Sequence, residues 1–143
     1  MQGYSGTPLP KKLGIKAGFR VLLVRAPEDV RAELNQVLAE CKVEESGLDF
    51  AMLFSASRAE LEKEIARMAK LLAPAGMLWV SWPKKSSGVA TDLNDNVVRE
   101  TGLATGLVDV KVCAVTAVWS GLKFVRRVRD RKMTSRTMTP RAT

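Results

Sequence analysis

The sequence predicts a three-layer α/β sandwich on a mostly parallel sheet of about five strands, ending in an antiparallel hairpin. Three observations predict it. Short continuous apolar runs alternate with amphipathic stretches of helical period, the early strand-to-strand passages are about 20 residues long, and two β-branched stretches close the chain around Trp119-Ser120-Gly121. A passage of that length holds a helix and a right-handed crossover, which parallel strands require. Continuous apolar strands suit a sheet covered on both faces.

Residues 1–19 read as an irregular lead-in, punctuated by Gly3, Gly6, Pro8, Pro10, Gly14 and Gly18. Val21-Leu22-Leu23-Val24 forms the first strand. Pro27 then suits a first helical position, and Glu28 and Asp29 place negative charge at the helix start. Val30, Leu34, Val37, Leu38 and Cys41 lie on one face of that helix.

Ser46-Gly47 turns the chain into the next strand, Leu48–Phe54. Ser57-Arg58-Ala59-Glu60 fits a capping box, in which serine and glutamate reciprocally satisfy orphan amides. Leu61, Ile65, Met68 and Leu72 continue as a helical stripe, which Pro74-Ala75-Gly76 ends. Met77–Trp82 is the third strand. After a polar loop over Pro83–Ala90, a shorter helix spans Asp92–Thr101, capped by Thr91 or Asp92. Leu107–Val118 and Leu122–Val128 pair antiparallel across their turn. Residues 1–127 are thus expected to form one domain, and 128–143 a disordered basic tail.

Of the net charge of +8, residues 123–143 carry most, with eight Lys/Arg against the single acid Asp130. A basic tail attracts phosphate backbones without sequence preference, so weak nucleic-acid contact through it is one expectation. The chain has no histidine, which excludes Ser-His-Asp and Cys-His nucleophilic systems and His-ligated metals. Neither Cys41 nor Cys113 has a basic neighbour poised by the sequence to activate it. No signal peptide and no membrane-length apolar run is present, so a cytoplasmic setting with free thiols is expected. Asp92-Leu93-Asn94-Asp95-Asn96 starts like a calcium loop, but Val97 and Leu103 stand where glycine and glutamate belong, so Asp92 is assigned to capping.

Gly18-Phe19-Arg20-Val21-Leu22-Leu23-Val24, then Leu72-Ala73-Pro74-Ala75-Gly76-Met77-Leu78-Trp79-Val80 and the final hairpin resemble the Rossmann-like fold of AdoMet-dependent methyltransferases. Residues 4–127 are also similar to a short bacterial family without an assigned activity, through Tyr4–Leu9, Lys11–Ile15, Leu78–Lys85 and Thr105–Asp109. The methyltransferase resemblance implies glycines after the first strand and an acid ending the second. Here Arg25-Ala26-Pro27-Glu28-Asp29 follows the first strand, and the second ends Phe54-Ser55-Ala56-Ser57 without an acid. No cofactor is therefore expected, with AdoMet as the alternative.

Ligands of open parallel sheets bind beyond the carboxyl ends of the strands. Those ends offer Arg25, Ser55, Ser57, Lys84, Lys85, Ser86 and Ser87, together with free amides at the Ser57 helix start. Cations, hydroxyls and a helix N-terminus are the ingredients of an anion site. Trp82 beside the loop could stack a planar ligand. No catalytic or metal-binding residue is assigned. The expectation is a non-catalytic binding or regulatory module with an anion-accepting crevice for a small anionic ligand; the alternative is a minimal AdoMet-dependent transferase.

Overall fold

A computed structural model describes residues 7–128, 130 and 131; Tyr4 and almost all of the expected basic tail lie outside the described residues. The elements run α1 (Leu9–Leu13), β1 (Arg20–Val24), α2 (Glu28–Leu38), β2 (Lys42–Val43), β3 (Leu48–Phe54), α3 (Arg58–Leu71), β4 (Leu72–Pro83), α4 (Asp95–Leu103), β5 (Leu107–Ala114) and β6 (Trp119–Arg126). The strands form one six-stranded sheet in the order β2-β1-β3-β4-β6-β5. β1 runs parallel to β2 and β3, and β3 to β4, whereas β6 lies antiparallel to both β4 and β5.

Apolar periodicity assigns each helix its face. Leu61, Ile65 and Met68 of α3 and Val98 of α4 pack with Leu53, Leu78 and Val80 on one face. Leu9 and Leu13 of α1 and Val30 and Leu34 of α2 pack with Phe50, Met52 and Trp79 on the other. Burying one such leucine or phenylalanine contributes about 1.5–3 kcal/mol. Side chains alternate along a strand, so Trp79 and Trp82, three apart, enter opposite cores.

The lead-in is not wholly irregular. Leu9–Leu13 is a short helix with Leu9 and Leu13 buried, closed by Gly14 in the left-handed region. The buried Trp79 indole Nε1 donates to the Leu13 carbonyl at 2.9 Å and ties this helix to the sheet. The sheet has six strands rather than about five, because Lys42–Val43 pairs with Arg20 and Val21. Both β2 residues are exposed, so no burial pattern announces the strand.

Three boundaries also move. α3 ends at Leu71, where Leu72 turns extended, and Pro74-Ala75-Gly76 lies within β4 rather than after a helix. Pairing passes from Leu48↔Leu72 to Phe50↔Met77, so residues 73–76 form an irregularity in the ladder. Gly76 is needed there, since a Cβ would stand 2.2 Å from the Leu48 carbonyl oxygen. α4 begins at Asp95 with Asn94 as its cap, Oδ1 accepting from Val97 N at 2.9 Å. In the hairpin the turn is Val115–Val118, where Thr116 Oγ1 accepts from the Val118 and Trp119 amides, and Trp119 already belongs to β6. No helix among the described residues is long and apolar enough to cross a membrane.

Candidate functional site

From β1 the chain steps to β2 on one side and then to β3 on the other, so the strand order reverses between β1 and β3. Open α/β sheets bind ligands in the crevice beyond such a reversal. Arg25 stands at its rim with φ of 58°, the only non-glycine among the described residues in the left-handed region. Its Nε donates to the Phe54 carbonyl at 3.2 Å, and its terminal nitrogens lie 3.6 Å from Glu60 and 3.5 Å from Glu64. The guanidinium is thereby carried from the end of β1 across the end of β3 to α3.

Ser55, buried at the end of β3, places its hydroxyl 2.9 Å from Glu60 Oε1 and accepts from Ser57 N at 3.2 Å. The capping box is therefore half realised. Ser57 Oγ accepts from Glu60 N at 3.3 Å, but the Glu60 carboxylate turns to Ser55 and Arg25 instead of the Ser57 amide. The first amide of α3 is not left free for a ligand either: Arg58 N donates to Asp92 Oδ1 at 2.8 Å. Asp92 caps α3, not the helix that follows it in sequence.

Past β4 lies a second opening, a hollow of about 710 Å³ lined in part by Trp82, Lys84, Lys85, Asp92, Val112 and Ser120. Its rim loop is held on three sides. Lys84 N donates to Val118 O at 2.7 Å, Ser87 Oγ donates to Lys84 O at 2.6 Å, and Thr91 Oγ1 donates to Ala56 O at 2.6 Å. A 3₁₀ turn over Lys85–Ser87 ends at Gly88, whose φ of 78° requires the freedom of glycine.

Of the residues singled out from sequence, Arg25, Ser55 and Ser57 gather at the β1–β3 crevice, joined by Glu60. Lys84 and Lys85 line the hollow. Ser86 is exposed, and Ser87 spends its hydroxyl on its own loop, accepting from Val89 N as well. Thr91 and Asp92, which sequence reasoning took as caps for α4, are what connect the two openings through the turn at Ala56–Arg58. Glu44 and Glu45 were missed altogether: they follow β2 directly, exposed, with Glu44 N donating to Val21 O at 3.1 Å. The acid sought after the second strand is present once Lys42–Val43 is recognised as that strand.

No protein-family model and no curated protein matches the chain. Solved structures do. The chain is similar to magnesium protoporphyrin IX methyltransferase from Synechocystis with bound SAM, at TM-score 0.56 and 15% identity over 83% of this chain and 74% of that one. A SAM-dependent methyltransferase from Aquifex aeolicus gives TM-score 0.56 and 16% identity over 80% and 85% of the two chains. A TehB-like SAM-dependent methyltransferase from Corynebacterium glutamicum gives 0.51 and 10% over 87% and 90%.

The fold is the Rossmann-like fold of SAM-dependent methyltransferases. These neighbours overturn two expectations, the non-catalytic module and the absence of a cofactor. They favour the AdoMet-dependent reading, and the Synechocystis enzyme is solved with SAM and with SAH bound. The residues following β1 and β2 fit such a group at two points. Glu44 and Glu45 stand exposed directly after β2, one strand from β1, where carboxylates would suit ribose hydroxyls. The turn after β1 takes, at Arg25, the left-handed backbone that glycine ordinarily serves, although Pro27 contributes no amide there.

Proposed function

We propose that this chain is a small AdoMet-dependent transferase of the methyltransferase fold, holding its cofactor beyond the carboxyl ends of β1 and β2. The observation that carries the reading is the strand reversal between β1 and β3, with Glu44-Glu45 standing directly after β2. Bound there, AdoMet supplies an electrophilic methyl group. The chain's own part is to hold and orient. Glu44 and Glu45 accept from the ribose hydroxyls, and the Arg25–Ala26 backbone faces the remainder of the ligand. The Arg25–Glu60–Glu64 cluster fixes the distance between β1 and α3. With no histidine in the chain, rate enhancement rests on positioning two reactants rather than on a near-neutral base. The two free thiols, Cys41 and Cys113, support a reducing, cytoplasmic setting.

Calorimetric titration of the full chain with AdoMet and with S-adenosylhomocysteine tests this. Saturable micromolar binding is expected, with affinity lowered at least ten-fold in Glu44→Gln/Glu45→Gln, about 1.4 kcal/mol. Absence of binding by both ligands overturns the proposal.

A further inference from the structure

The hollow past β4 combines lysines, carboxylates and apolar side chains in one lining. Its volume of about 710 Å³ falls in the range of a small-molecule site. Trp82 and Ser120 face each other across the β4–β6 ladder at its inner end. Two apolar side chains of its lining are open to solvent: Val89 is 46% and Val112 is 52% exposed.

Two cations stand over these walls. Among the described residues neither the Lys84 nor the Lys85 ammonium has a hydrogen-bond or ion-pair partner, although Asp92 and Asp95 line the same hollow. Those carboxylates keep their charge but accept from backbone amides rather than from the ammonium groups. Asp92 takes the Arg58 amide at 2.8 Å, and Asp95 takes the Asn96 amide at 3.0 Å, each at a helix start that favours the negative charge. Ammonium groups without an ion-pair partner beside exposed apolar walls complement a ligand with the opposite charge and an apolar body.

We infer that the hollow is the acceptor site of the proposed transferase and takes a small molecule with an apolar, ring-sized body and one anionic group, a carboxylate or a phosphate. The acceptor role rests on the AdoMet reading; the ligand chemistry does not. Position agrees with the role. Thr91 and Asp92 anchor the loop to Ala56 and Arg58 beside the β1–β3 crevice, so the two openings share the turn that starts α3. The loop is also already folded, so little ordering entropy is lost on binding.

The test titrates isotope-labelled full chain with benzoate, phenyl phosphate, benzyl alcohol and inorganic phosphate, following amide resonances. Saturable shifts at Trp82, Lys84, Val112 and Ser120 are expected with benzoate or phenyl phosphate, and the tighter of the two identifies the anion. Lys84→Ala/Lys85→Ala should weaken that binding at least ten-fold, as should Val112→Asp, which sets a carboxylate on the exposed apolar wall. Benzyl alcohol and inorganic phosphate, each lacking half of the ligand, should bind at least ten-fold more weakly. Unchanged affinity in the double lysine variant overturns the inference. So does inorganic phosphate binding as tightly as phenyl phosphate, or no saturation by either aryl anion in the millimolar range. A chain that binds AdoMet but neither aryl anion refutes this site alone. One that binds an aryl anion and not AdoMet keeps the ligand chemistry and refutes the transferase reading.

Discussion

Arg25 holds a conformation that a side chain resists. A non-glycine residue in the left-handed region costs on the order of 1 kcal/mol, and the surrounding contacts must offset it. Its partners do so weakly, because Arg25 and Glu60 side chains are 39% and 42% exposed and such pairs contribute little in water. Two substitutions separate backbone from charge. Arg25→Gly and Arg25→Ala both lose the pairs, but only alanine keeps the strain, so the glycine variant should be the more stable by about 1 kcal/mol in urea unfolding. Lys123 offers a second residue-scale test. Burial, and then the neighbouring Lys111 ammonium, depress its pKa below 10.5. The unfolded chain therefore binds more protons than the folded one between that depressed value and 10.5, and stability from this group rises with pH across the window. Lys123→Met should remove this rise, seen as the difference between wild-type and variant melting temperatures from neutral to alkaline pH. The variant's advantage should be largest on the neutral side.

Elements were legible in proportion to their burial. Val21–Val24 and Leu48–Phe54 could be read because parallel strands covered on both faces admit few polar residues, and the Leu61–Ile65–Met68 stripe because one helix face is sealed. β2 could not be read, since Val43 is 78% exposed and two residues carry no period. With β2 went Glu44 and Glu45, and so the acid on which the cofactor question turns. The beginning of β4 was hidden differently: Pro74 and Gly76 look like terminators, and only the Leu48 carbonyl pressing on Gly76 explains their place in a strand. α1 depends on a bond no pattern predicts, from Trp79 to a carbonyl 66 residues away. Trp79→Phe keeps the ring body and deletes that donor, leaving a buried carbonyl unmatched. A loss of about 1–3 kcal/mol is expected in urea unfolding, with faster amide exchange confined first to α1.

At the scale of the whole molecule, the sheet's layout rather than any motif creates the candidate site. Lys84 and Lys85 were legible as a cationic loop. Their distance in role from Arg25 was not, because it follows from the reversal between β1 and β3 and from ties of 34 and 35 residues made by Asp92 and Thr91. The proposed function draws on the same layout, an acid after β2 and a lysine-bearing hollow after β4 in a chain without histidine. One further consequence lies in the position of β6, the last of the described strands in sequence yet an interior one between β4 and β5. During synthesis, β4 has no partner on that side until Arg126 has emerged from the ribosome. A premature stop before Trp119 would strand the nascent chain with one edge of the buried β4 ribbon bare, an invitation to aggregation rather than a smaller working protein.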